Sequence, residues 1–156
     1  MNPNQELIHR FYTCFQNKDY KGMQECYANN ASFSDSVFKD LNGRQTKAMW
    51  EMLIKNGKDL TLEFSGIEAN ETTGSAHWEA SYTFSKTGNK VVNKIDAQFK
   101  FEKGKIVKHT DYFNFYVWAK QALGTTGLLL GWTPFIKNNV QAIAMNNLNN
   151  FMNNSK

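Results

Sequence analysis

The sequence predicts an α+β fold, a curved antiparallel sheet with helices packed across one face. Two observations predict it. Apolar residues recur at helical spacing as far as Ile54, then switch to alternation from Leu60 onward. Turn signals cut the alternating part into hairpin-connected strands, with Thr-Gly-Asn at 87–89 and Glu-Lys-Gly-Lys at 102–105.

Each element follows from its residues. Leu7, Ile8, Phe11 and Phe15 stripe a first helix. A second short helix runs from Asp19, an N-cap residue, to Ala28, with Met23, Cys26 and Tyr27 on one side. Residues 31–38 alternate as a strand with Phe33 and Asp35 on one face. Gly43 and Thr46 introduce a third helix, striped by Met49, Trp50, Leu53 and Ile54, and Gly57 stands where a C-cap glycine is expected. Leu60, Leu62 and Phe64 mark one strand, and Ala76, Trp78, Ala80, Tyr82 and Phe84 the next. Ile95, Ala97, Phe99 and Phe101 mark the return strand, and Val107, His109, Asp111 and Phe113 share a face of the last. A helix then runs through Leu123 into GTTGLLLGWTP, and Pro134 begins a final helix to about Met152. Its stripe is Phe135, Ile136, Val140, Ile143, Ala144, Leu148 and Phe151, with asparagines opposite. No repeat or linker divides the chain. The expected organisation is one domain over 1–123, with an apolar loop and helix over 124–156 packed on it as a pocket lid or at a dimer interface.

Composition narrows the function classes. At 156 residues, with 41% hydrophobic and 14% aromatic side chains, the chain can build a core and line a cavity. Its net charge of +4 comes from scattered lysines, with only Arg10 and Arg44 as arginines, so the basic run of a nucleic-acid binder is missing. Cys14 and Cys26 form no CxxC and sit on apolar helix faces as small hydrophobes, which fits a reducing compartment. The N-terminus lacks a signal-peptide core, and the apolar stretch at 128–132 is too short to span a bilayer. A cytoplasmic protein with no integral membrane association is expected. Three scattered histidines give no zinc or iron signature. Ser34, Ser36 and Ser81 lack a nucleophile elbow, and GTTG lacks the lysine of a phosphate loop. Neither a metal nor a cofactor is expected.

The residues that carry chemistry are Asp111, Asp35 and His109. If its strand face is the concave one, Asp111 projects into the interior, where a carboxylate needs a hydrogen bond, a partner or a proton. Asp35 has the matching orientation after the helices, and two carboxylates in one apolar pocket raise each other's tendency to hold a proton. Bland readings stand beside these: Asp111 bonding a tyrosine hydroxyl or capping a helix, Asp35 in a solvated turn before Ser36. His109 is either the proton partner of Asp111 or an aromatic wall. Phe11, Phe15, Phe33, Trp50, Trp78, Tyr82, Asn93, Ile95 and Phe113 are the expected ligand-binding lining, with Phe99 as core or wall. His77 and Glu79, of opposite parity to Trp78, face solvent or a subunit interface, and His9 lies on a helix surface.

Residues 87–114, TGNKVVNKIDAQFKFEKGKIVKHTDYFN, resemble the end of a limonene-epoxide-hydrolase or SnoaL-like domain, most specifically through GKI at 104–106 and DYF at 111–113. D-x-x-x-M-x-E-x-Y-A at 19–28 and F-S-D-S-V at 33–37 resemble ketosteroid isomerases and their relatives. The tail, WAKQALGTTGLLLGWTP, is similar to that of bacterial SnoaL-like proteins with no assigned reaction. The resemblance, over roughly residues 5–120, is to the nuclear-transport-factor-2-like superfamily. It implies a cone-shaped sheet with N-terminal helices over its concave face, a cystatin-like α+β roll, extended here by C-terminal helices.

What the resemblance implies for chemistry is mixed. Asp111 matches the aspartate of the epoxide hydrolases' DYF motif, but their arginine and second aspartate fall on Trp78 and Ala80, which breaks that charged triad. Their water-holding tyrosine and asparagine correspond to Phe33 and Asp35. Asp35 stands where ketosteroid isomerases place their general base, while their oxyanion-hole tyrosine corresponds to Phe11. Tyr12 is adjacent but points about 100° away around the helix. Their protonated second acid has no counterpart, since Asp96, the nearest, opposes Ile95 and Ala97 in parity. SnoaL-type cyclases pair an aspartate with a histidine, and Asp111 with His109 is similar.

Three functions follow as expectations. The first is a cofactor-independent isomerase, cyclase or hydrolase acting on a small polycyclic or terpenoid-like molecule. Asp35 would be its base, Asp111 its acid or water activator, and His109 a helper. The second is a non-catalytic module that holds a lipid-like molecule in the same cavity. The third is an assembly domain, with a homodimer formed through the outer sheet face.

Overall fold

The computed structural model describes residues 1–154. Helix α1 (Pro3–Gln16) starts at a capping box in which Asn2 and Gln5 satisfy each other's backbone N–H groups. It is followed by α2 (Tyr20–Glu25), β1 (Tyr27–Ser34) and α3 (Gly43–Asn56), the last opened by an equivalent Asn42–Gln45 box. Four strands then run as a meander: β2 (Thr61–Ala69), β3 (Thr73–Phe84), β4 (Asn89–Glu102) and β5 (Lys105–Tyr112). Three helices close the chain: α4 (Phe115–Leu123), α5 (Thr125–Leu130) and α6 (Pro134–Asn154).

The sheet order is β1-β5-β4-β3-β2. Neighbours in the meander pair antiparallel, while β1 joins the β5 edge in parallel because the chain crosses over through α3 before the meander begins. Burial alternates along β4 in strict period two, so Val91, Asn93, Ile95, Ala97, Phe99 and Phe101 face inward. On that face α1 and α3 seat Ile8, Phe11, Tyr12, Phe15, Met49 and Trp50, all fully or nearly fully buried. Each large apolar side chain so buried contributes about 1.5–3 kcal/mol.

Several elements depart from the sequence expectation. The second helix stops at Glu25, not Ala28, and β1 begins at Tyr27 because the Cys26 carbonyl accepts the Ile106 N–H at 2.9 Å, a bond from the far end of the sequence. The strand ends at Ser34, so Asp35 lies in the turn that follows. Gly57 does cap α3, but at φ −88°; glycine is needed there because a Cβ would stand 2.7 Å from the Leu53 carbonyl. Residues 125–130 are a helix rather than a loop, since Gly127 lets α5 rest on the backbone of Ala119, where a Cβ would overlap the carbonyl. Phe135 leaves the α6 stripe and is exposed, as are Leu128, Leu129, Leu130 and Trp132. No described helix is long and apolar enough to cross a membrane.

Candidate active site

Between the inner sheet face, α3, α4 and α6 lies a cavity of about 870 Å³. Its lining includes Phe15, Trp50, Trp78, Tyr82, Asn93, Ile95 and Phe113, together with the carboxylates Asp35 and Asp111. Ile136, Val140, Ile143 and Ala144 of α6 form its outer wall, so the last helix covers the cavity. Phe11 and Phe33 do not line it. They pack edge-on against the His109 ring from behind, at 5.7 and 4.9 Å, because α1 and β1 close the far side of that ring.

His109 does not reach the cavity wall either. It is 0% exposed and enclosed by Phe99, Phe33, Phe11 and Trp50. It acts on the cavity only through Asp111, whose Oδ1 lies 2.8 Å from its Nε2. On the other side, Tyr27 Oη lies 2.7 Å from Nδ1 and accepts the Trp50 indole N–H at 2.9 Å. One proton placement gives every donor in this chain an acceptor. Trp50 donates to Tyr27, Tyr27 donates to Nδ1, and Nε2–H donates to the Asp111 carboxylate. The chain thus fixes one Asp111 oxygen, and the residue still lines the cavity. The Trp78 indole N–H adds a long contact to the same oxygen at 3.5 Å.

Asp35 is held differently. Its Oδ1 accepts the backbone N–H groups of Val37 and Phe38, both at 2.7 Å, in the turn after β1. Desolvation pushes its pKa up from 3.8 to about 6, against the pull of those two N–H groups, and the charge of Asp111 adds to the rise. The two carboxylates therefore sense each other in one cavity. Among the described residues no three His, Cys, Asp or Glu side chains converge to hold a metal ion.

Two residues of this region were not legible as such in the sequence. Tyr27 read as the end of a helix, although Tyr27, Ala31 and Phe33 share strand parity. Tyr12 is 0% exposed, sandwiched between Phe64 and Trp78, and its hydroxyl has no hydrogen-bond partner among the described residues. Burial drives its phenol well above the ordinary range, and the Asp111 charge adds to that.

A SnoaL-like domain profile matches residues 8–109 of the chain. The chain belongs to the SnoaL-like domain family. No curated protein matches it. Its fold is that of several solved structures. An LEH-like epoxide hydrolase from M. tuberculosis superposes with a TM-score of 0.63 at 18% identity, covering 81% of this chain and 92% of that one. A candidate polyketide cyclase from Xanthomonas campestris pv. campestris gives 0.64 at 20% identity, covering 78% and 98%. TerC, co-crystallised with polyporic acid, gives 0.66 at 13% identity, covering 77% and 98%. At these identities the likeness shows a shared nuclear-transport-factor-2-like fold.

Proposed function

We propose that this SnoaL-like protein acts without a cofactor on a small, mostly apolar molecule of polycyclic or terpenoid type, by proton transfer at Asp35. The observation that carries the reading is a carboxyl group in the wall of an aromatic cavity with its pKa near 6. Such a group accepts and returns a proton near neutral pH at little cost, which suits isomerisation, cyclisation or hydrolysis. Asp111 presents a second carboxylate whose orientation His109 sets, so His109 is a positioning residue. The outer sheet face, where His77 bonds Asp96 and Glu79, is the surface we assign to a homodimer. The free thiols Cys14 and Cys26 suit a cytoplasmic setting.

Non-catalytic binding of the same molecule is the second reading. It is favoured by Trp78 and Ala80 at the positions where the epoxide hydrolases resembled by the sequence carry an arginine and an aspartate. Turnover of a library of polycyclic ketones and terpenoid epoxides separates the two, combined with native mass spectrometry. Catalysis predicts that Asp35→Asn lowers kcat by about 100-fold or more while the substrate still binds. Full turnover in both Asp35→Asn and Asp111→Asn would overturn it, and a ligand recovered unchanged from active-site variant and parent alike would establish the binder.

A further inference from the structure

Two side chains on the inner sheet face keep unused hydrogen-bonding capacity toward the cavity. Asn93 is 9% exposed, lines the cavity, and its amide has no hydrogen-bond partner among the described residues. Tyr12 Oη is the one buried side-chain polar atom without a partner among the described residues, so the Asn93 amide is open to the cavity, where water or a ligand group satisfies it. Tyr82 also lines the cavity. Its oxygen accepts the Trp118 indole N–H at 2.7 Å, which occupies a lone pair and leaves its own O–H with no acceptor among the described residues.

The register brings these groups together. Ala80 lies opposite Asn93 and Tyr82 opposite Val91, so Tyr82 and Asn93 are diagonal neighbours on one face of adjacent strands. Such neighbours stand about 7–8 Å apart at the backbone, within reach of one shared atom for long side chains. Ala80, the small residue opposite Asn93, lines the same cavity. Tyr82 is also within electrostatic reach of Asp35, whose charge raises its pKa in addition to the larger effect of burial. Tyr82 offers its O–H and Asn93 its amide NH2, the donor end of a group that also carries an acceptor oxygen, and a carbonyl oxygen with its two lone pairs is an acceptor that uses both donors.

We propose that the Tyr82 hydroxyl and the Asn93 amide form a donor pair that binds a carbonyl oxygen, so that the ligand is a hydrophobic ketone or related carbonyl compound. This rests on the reading of the cavity as the site for a small apolar molecule. It concerns binding and requires no turnover. A pure hydrocarbon of the same shape would leave both donors unpaired, and sites built to hydrogen-bond one group discriminate strongly against analogues that lack it.

The test uses a matched pair, 2-acetylnaphthalene and 2-ethylnaphthalene, with binding read from intrinsic tryptophan fluorescence. The parent protein is expected to bind the ketone about tenfold more tightly. Asn93→Leu and Tyr82→Phe should each remove most of that preference, with hydrocarbon affinity kept within about twofold as the control for an intact cavity. Two separate variants are used because Tyr82→Phe also deprives the Trp118 indole of its acceptor. Equal affinities in the parent, or an undiminished preference in Asn93→Leu, would overturn the proposal alone. Failure of the parent to bind either naphthalene would overturn the cavity reading, and this proposal with it.

Discussion

Two polar regions share the inner face of this sheet, and they are built on opposite terms. Along Trp50, Tyr27, His109 and Asp111, donors and acceptors are matched in sequence and all four residues are buried, with only Trp50 and Asp111 lining the cavity. Around Asp35, Tyr82 and Asn93, one carboxyl is held by a turn, while the Tyr82 O–H has no acceptor and the Asn93 amide no partner among the described residues. A closed chain of this kind fixes geometry; an open set awaits a partner. On the function proposed above, the first region supplies stability and orientation and the second the ligand chemistry.

Substitution should break the two regions in opposite directions. His109→Leu leaves the buried Tyr27 hydroxyl and the Asp111 carboxylate without their imidazole partner, and a loss of roughly 3–5 kcal/mol in urea unfolding is expected. The comparable polar-to-leucine change at Asn93 removes only an unpaired group, and unfolding should show a stability equal to or above that of the parent.

Asp35→Asn has a smaller effect with a pH signature. Its carboxyl titrates near 6 folded and near 3.8 unfolded, so between those values the native state holds a proton that the unfolded state has released. Stability therefore falls as pH rises from about 4 to 6, by up to roughly 3 kcal/mol. The asparagine keeps an oxygen for Val37 and Phe38 N–H and has no such dependence, so the variant should be the more stable protein above pH 6. Urea unfolding at pH 4.5 and 7.5 checks the sign.

The least effect belongs to the outer face. His77 is bonded by Asp96 and Glu79, and these raise its pKa above 6.5. The pair contributes stability below pH 6.5 that is lost as pH rises through the raised folded value. Since His77 and both partners are substantially exposed, solvent screening keeps this below about 1 kcal/mol, and His77→Gln should shift thermal unfolding at pH 6 only slightly and less in high salt.

Much of this arrangement is legible in the chain because β-strand parity is so regular. Val107, His109, Asp111 and Phe113 alternate, which is enough to put His109 and Asp111 on one face and predict their contact. Parity with Phe33 puts Asp35 on the right side of the sheet but for the wrong reason, since it reaches the cavity from the turn after Ser34 and Phe33 does not line it. What could not be read depends on long-range contacts. Met23, Cys26 and Tyr27 continue a helical spacing, and only pairing with β5 turns Tyr27 into a strand residue that reaches His109. Glycines in GTTGLLLG argue against a helix, yet close packing of Gly127 on α4 permits one. Phe11 and Phe33 have the residue type of a cavity wall, but the rings around His109 occupy them first.

We take Asp35 to be a ligand-directed carboxyl whose pKa is set by burial in an apolar cavity. Carbon-13 NMR of its side-chain carboxyl across pH 3–8 tests this most directly, with Asp35→Asn used to assign the resonance. A midpoint of about 6 is expected. An ordinary carboxylate midpoint near 4 would mean that burial does not tune the group, and would contradict this assignment.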